Sequence, residues 1–219
     1  MKNPRSKRSN PLALAVLVLL WERPMHPYEM AATLRSRRKE ESIKLRYGSL
    51  YTVIELLEQS ALIRAKNTSR QGNRPERTTY ELTPAGGVEL RSWMRELLST
   101  PTKEFPQFEA ALSLMPSLPA DEVVGLLQTR VEFLKQDIEQ VSAGLQAAAA
   151  QKLPALFSIE TEFRLAQLKT ELSFVTDLMR RIQKDGCGFL AEWNDWHQAK
   201  QSKSKSAKPK RAKPKPKGD

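Results

Sequence analysis

Two short stretches of the chain concentrate side chains suited to gripping a polyanion. Arg46, Tyr47, Ser49, Tyr51 and Thr52 offer one guanidinium, two phenols and two hydroxyls within two helical turns. Lys66, Arg70, Asn73, Arg74 and Arg77 recur along a polar segment that also holds Gly72 and Pro75. Donors at the start of a helix can meet base edges and phosphate oxygens, and cations on a loop suit phosphates or a minor groove. A single arginine is ordinarily a solvated charge; a cluster on one loop is the footprint of an anionic partner. Tyr47 reads equally well as a core tyrosine.

Other chemistries find little support. His26 and His197 stand at opposite ends of the chain, and Cys187 has no base beside it. No phosphate-binding glycine loop, zinc-type Cys/His spacing or Ser/His/Asp framework occurs, so neither catalysis nor a metal or other cofactor is expected. The lone cysteine cannot form an intrachain disulfide, which suits a reducing compartment.

The formal charge of +11 is unevenly placed. Residues 1–100 carry 18 Lys+Arg against 10 Asp+Glu, residues 101–199 carry 9 against 14, and residues 200–219 carry 9 against 1. Two basic ends flank an acidic middle, a division that suggests separate tasks.

The elements that must position the basic groups can be read from periodicity. Lys2, Arg5, Lys7 and Arg8 before the apolar run Leu12 to Trp21 imitate the start of a signal peptide. No small-residue cleavage site follows, and the run is too short to span a bilayer, so it is expected to be a buried first helix from Pro11. His26-Pro27 opens a second helix through Leu34. A third follows Gly48, with Leu50, Val53, Ile54, Leu57 and Ala61 on one face. Leu62 to Lys66 and Arg77 to Leu82 then read as a hairpin around the polar loop 67–76. Thr83-Pro84 starts a fourth helix. This order is that of a winged helix-turn-helix, which makes the fold class mainly α with a small β-hairpin wing.

Beyond Pro119, apolar residues at Val124, Leu127, Val131, Leu134, Ile138, Val141 and Leu145 step by three and four. The rhythm returns after Pro154 at Leu165, Leu168, Leu172, Val175, Met179 and Ile182. Two heptad helices with a connection between them suggest an antiparallel hairpin. Leu127, Leu134, Ile138, Leu165, Leu168, Leu172, Val175, Met179 and Ile182 are the expected dimer interface. The expected organisation is a basic arm (1–10), a winged helix (11–100), a helical dimerisation domain (101–199) and a disordered Lys/Pro-rich tail (200–219).

The motifs His26-Pro27-Tyr28-Glu29-Met30, Gly48-Ser49-Leu50-Tyr51, Leu56-Leu57-Glu58 and Tyr80-Glu81-Leu82-Thr83-Pro84-Ala85-Gly86 resemble the PadR family of bacterial transcriptional regulators. The resemblance spans roughly residues 12–98. It implies a cytoplasmic, nucleoid-associated homodimer that binds a partly palindromic double-stranded operator, usually as a repressor, without a membrane. Tyr28 joins the candidate DNA contacts on this basis. Arg46-Tyr47 stands where Ser-Pro is common in the family, so the usual serine cap is missing. Some members respond to small aromatic or hydrophobic effectors, for which Trp21, Trp93 and Met94 are the candidates here; ordinary core packing is the competing reading. Alternatives to the regulator are a dimeric protein-interaction adaptor and a nucleoid-type binder without sequence choice, the spaced lysines of the tail adding a non-selective hold on phosphates.

Overall fold

In the computed structural model, residues 10–69, 77–184, 188 and 190–206 are described. The chain divides into two units, Met1–Glu104 and Phe105–Asp219. The first is organised around α1 (Pro11–Glu22). Asn10 caps it by accepting a hydrogen bond from the Leu12 amide at 3.0 Å, and Pro11 takes the first helical position. Leu12, Ala13, Ala15, Val16, Leu17, Leu19 and Leu20 are all buried, as an all-round apolar helix must be.

Helix α2 (Pro27–Ser36) is capped by His26, whose Nδ1 accepts from the Glu29 amide at 3.1 Å. Two ion pairs fasten it to the end of α1. Arg37 forms a two-pronged bond to Glu22 at 2.6 and 2.8 Å, and Arg23 reaches Glu29 at 2.5 Å. Both carboxyls titrate below their ordinary range, chiefly because a guanidinium donates to each.

Helix α3 (Tyr47–Gln59) buries Leu50, Val53, Ile54 and Leu57 against the same core. It ends sooner than its apolar rhythm suggests. Ala61 lies outside the helix at φ 56° and is exposed, where it was expected on the buried face. The Ala61 amide bonds to the Glu58 carbonyl and the Leu62 amide to the Leu57 carbonyl, the two bonds of a Schellman ending. That ending requires a left-handed residue, and alanine fills a place usually held by glycine.

Strands β1 (Ile63–Ser69) and β2 (Arg77–Leu82) pair antiparallel, Ile63 facing Leu82 and Ala65 facing Tyr80. The register shifts between Ala65 and Asn67, which makes Lys66 the extra residue of a bulge. A lone bridge joins Met25 to Tyr80 through two backbone hydrogen bonds, so the segment between α1 and α2 extends the hairpin by one pairing. A single residue pair carries no period, and the sequence gives no hint of it.

Helix α4 (Pro84–Ser99) begins on a tightly made corner. Thr83 Oγ1 accepts from the Gly86 amide at 3.0 Å and lies 2.8 Å from the Ala61 carbonyl, to which it donates. A Cβ on Gly86 would stand 2.0 Å from the Leu62 carbonyl oxygen, so only glycine lets the helix start this close to the strand. The Thr83 to Gly86 motif is therefore a joint between wing and helix.

The second unit comprises α5 (Gln107–Leu114), α6 (Ala120–Ala150), α7 (Ile159–Gln183) and α8 (Leu190–Ser206). The α6–α7 connection is short, and the core joins the start of α6 (Val123, Leu127) to the end of α7 (Leu178, Ile182). The two helices thus form an antiparallel hairpin, as the heptads suggest. Leu127, Leu134, Val175 and Ile182 are buried in this seam, and Leu168, Leu172 and Met179 pack against it; Ile138 and Leu165 are half-buried. The heptad residues assigned to a dimer interface thus mostly face the chain's own second helix. Their spacing signals a neighbouring helix without saying which chain supplies it.

Trp193 seats α8 on this unit: it is buried and its Nε1 donates to the Leu118 carbonyl at 2.7 Å. The helix continues to Ser206, so the boundary expected at residue 200 falls inside it. Lys, Gln, Ser and Ala extend a helix already nucleated, and the next proline is Pro209. The remainder of the expected tail, 207–219, lies outside the described residues, as do Cys187 and residues 1–9 of the basic arm.

Candidate nucleic-acid interface

With the buried stripe of α3 fixed by Leu50, Val53, Ile54 and Leu57, a turn of about 100° per residue defines its outward face. That face centres on Gly48, Thr52, Glu55 and Gln59. Tyr47 and Tyr51 flank it on one side and Ser49 on the other. Arg46, Tyr47, Ser49, Tyr51 and Thr52 are all exposed, so the core reading of Tyr47 does not hold. Thr52 is less available than its type suggests, because its hydroxyl donates to the Gly48 carbonyl at 3.0 Å.

Arg46 occupies the N-cap position in extended conformation and no side chain caps the helix, in keeping with the absent serine. The first-turn amides of α3 thus meet no side-chain acceptor from the cap, and together they carry the positive end of the helix dipole. Gly48, at the centre of the outward face, has open space where a side chain would stand. Glycine there costs about 1 kcal/mol of helix propensity relative to alanine. Nothing among the described residues requires glycine at this position.

Tyr47 has a partner that sequence reasoning missed. The Arg35 guanidinium, from the last turn of α2, lies 4.7 Å from the centre of the Tyr47 ring and donates to its hydroxyl at 2.8 Å. Tyr28, in the first turn of α2, is exposed and stacks on His26 at 6.3 Å between ring centres.

On the wing, Glu81 of β2 gathers two cations from β1. Arg64 Nε donates to Glu81 Oε1 at 2.8 Å, and Lys66 Nζ lies 3.2 Å from Glu81 Oε2. These bonds, Arg64's first, hold the Glu81 carboxyl below its ordinary range. Lys66 is thus tied to its own sheet, and Arg64, which sequence reasoning passed over, shares the position. Strand alternation could have flagged Arg64, two residues before Lys66 on the same solvent side. Arg70, Asn73 and Arg74 lie outside the described residues; Arg77 opens β2, with its side chain outside the description.

The three effector candidates occupy unlike surroundings. Trp93 is buried in the core of the first unit, Met94 packs against that core, and Trp21 is 66% exposed. The Trp93 Nε1 is buried and has no hydrogen-bond partner among the described residues. A separate groove of about 570 Å³ lies within the second unit, between α5 and α7, with Phe108, Leu112, Phe163 and Phe174 in its walls. Arg130 of α6 holds two of the wall residues, its guanidinium 3.6 Å from the centre of the Phe108 ring and its Nε donating to Glu171 at 2.6 Å. Among the described residues no cluster of three metal-ligating side chains occurs, and no helix is long and apolar enough to cross a membrane.

Residues 16–92 match the sequence model of the Transcriptional regulator PadR-like family. No curated protein matches the sequence. Among solved structures, the chain is similar to Bacillus subtilis PadR in complex with operator DNA, at 18% identity and TM-score 0.62 over 79% of this chain and 99% of that one. It is likewise similar to Bacillus subtilis PadR in complex with p-coumaric acid, at 16% identity and TM-score 0.63 over 78% and 98%. A Streptococcus mutans protein matches at 22% identity and TM-score 0.52 over 77% and 98%. At these identities the likeness to the solved structures is one of fold. The sequence match covers the winged-helix segment, residues 16–92, and makes that segment similar to the PadR-like family of transcriptional regulators.

Proposed function

We propose that the chain is a sequence-specific DNA-binding transcriptional regulator, not an enzyme, that acts as a homodimer and represses its target. The observation that carries this reading is α3: a helix anchored by four buried aliphatic residues, uncapped at its start, with exposed Arg46, Ser49 and Tyr51 around an outward face. Such a helix fits a major groove, with its N-terminal residues toward base edges and phosphates. Arg64 and Lys66, with Arg70, Asn73, Arg74 and Arg77 further along the wing, supply contacts to the flanking backbone. The operator complex of the Bacillus subtilis protein of the same fold supports this role.

Pairing of two protomers rests on the second unit. Phe133, Phe157, Phe163 and Phe174 are large, exposed and apolar, a surface that a second copy would cover. A small aromatic effector is part of the proposal, supported by the p-coumaric acid complex of the Bacillus subtilis protein. The Lys-rich tail adds a second, unselective hold on DNA, and the site of action is the bacterial nucleoid.

Selection of duplexes from a random library tests the reading. The full chain should enrich inverted half-sites whose centres lie one helical turn, or a whole multiple of turns, apart. Arg46→Ala should weaken binding to the enriched duplex about tenfold and relax its sequence choice. Absence of enrichment, with binding that ignores sequence, would instead favour a non-specific nucleoid protein.

A further inference from the structure

The Arg35–Tyr47 pair joins the two helices of the helix-turn-helix at the point where α3 begins. Tyr47 is the first residue of α3 and is 42% exposed; Arg35 sits in the last turn of α2 with its side chain about half exposed. A guanidinium has five N–H donors in a rigid fork. Here one is given to the Tyr47 hydroxyl at 2.8 Å, while the phenol ring lies under the group at 4.7 Å. Glu40 Oε2 stands 3.8 Å from Arg35 Nε, near enough to attract and too far to accept a hydrogen bond. The remaining donors of Arg35 meet no protein acceptor among the described residues. The pair therefore fixes a charged fork beside the uncapped start of α3 and leaves part of that fork unused.

We propose that Arg35 is a DNA-backbone contact that binds a phosphate beside the recognition helix, and that Tyr47 is a positioning residue that holds Arg35 in place. The inference rests on the DNA-binding reading and refines it. Two features separate Arg35 from an ordinary surface arginine. The ring face and the phenolic oxygen together restrict a side chain that would otherwise sample many rotamers, which lowers the entropy lost on binding. The position also places the charge next to the positive end of the α3 dipole, where two like potentials converge; an anion between them satisfies both. Tyr47 thereby has a role other than base reading, one that requires its hydroxyl as an acceptor.

Binding of a mixed-sequence duplex two helical turns long, titrated over salt concentration, tests this. Arg35→Ala should weaken binding about tenfold and reduce the log–log salt slope by about 0.9 for each phosphate released. Arg35→Lys should keep the slope and lose most of the affinity gain, because an ammonium cannot share the ring and the phosphate in one plane. Tyr47→Phe should weaken binding several-fold in the native background and have no further effect in Arg35→Ala. Circular dichroism of each variant checks that the fold is retained. A native slope in Arg35→Ala overturns the proposal. Equal losses from Tyr47→Phe in both backgrounds would make Tyr47 an independent contact and overturn its positioning role. Failure of the native chain itself to bind duplex DNA would overturn the regulator reading as well, and shows before any variant is made.

Discussion

The two units bury their apolar residues to very different degrees. In the first, α1 is enclosed on nearly every side, and Val16, Leu17, Met30 and Leu50 have no exposed surface. In the second, the α6–α7 seam seals only a thin line around Val175, while Phe133, Phe157, Phe163 and Phe174 face outward. The first unit exposes Arg46, Ser49 and Tyr51 on α3 and Arg64 and Lys66 on the wing, and exposed apolar residues such as Trp21, Val88 and Leu98 lie on α1 and α4. A finished core gives a rigid platform for polar recognition, whereas a seam with uncovered aromatics is suited to being completed by another molecule.

The largest effect expected in this comparison comes from the joint between wing and α4. Gly86→Ala places a Cβ 2.0 Å from the Leu62 carbonyl oxygen, and neither backbone segment can yield without breaking the Thr83 cap. Destabilisation of about 4 kcal/mol or more is expected, read as a lower denaturation midpoint of the first unit. A near-native midpoint would show that the corner is looser than its geometry.

The second unit should respond to surface change in the opposite way. Phe163→Glu with Phe174→Glu removes aromatic surface that packs nothing deeply in its own chain. Sedimentation velocity should show monomers while the helical circular dichroism signal persists. Intact dimers would place the interface elsewhere on this unit. Polar substitution at Val175, which is fully buried in the seam, should instead unfold the hairpin.

A smaller effect links the two ends of α2 to α1 through pH. The Glu22 carboxyl is lowered from its ordinary value of 4.5, first by its hydrogen bond from Arg37. A depressed carboxyl contributes stability above its unfolded pKa and loses it as pH falls through the folded one. The native chain should therefore lose stability on acidification below about 4.5, and Glu22→Gln should lose less. Both partners are substantially exposed, so the difference will be modest. An identical acid profile in the variant would remove the ion pair from the account.

The smallest change concerns the end of α3. Ala61→Gly relieves a left-handed alanine at an exposed position and should stabilise the first unit by about 0.5 kcal/mol, after the added freedom of the unfolded chain is offset. A fall in midpoint would mean that the Ala61 methyl group packs usefully.

Much of this arrangement is legible in the sequence, for reasons tied to particular residues. The helix starts at Pro11, Pro27 and Pro84 combine a capping residue with a first-turn proline, a local signal that needs no tertiary contact. The apolar stripe of α3 locates its outward face in the same way. What escapes is pairing across distance. Arg35 with Tyr47, and Arg64 with Glu81, are separated by 12 and 17 residues and become neighbours only when the chain folds. The heptads at Leu127 and Val175 signal a helix partner without naming its chain, and in the fold these two residues bury against each other's helix within one hairpin. Periodicity also ran past the end of α3, because alanine hides a turn that glycine would have advertised.

Sedimentation of the full chain with a duplex enriched from the random library tests the central claim most directly, that one unit reads DNA and the other joins two readers. The account predicts two protomers per duplex for the native chain, and binding at least tenfold weaker, with one protomer per half-site, for the Phe163→Glu and Phe174→Glu variant. A single native protomer on the full site, or undiminished binding by that variant, would contradict it.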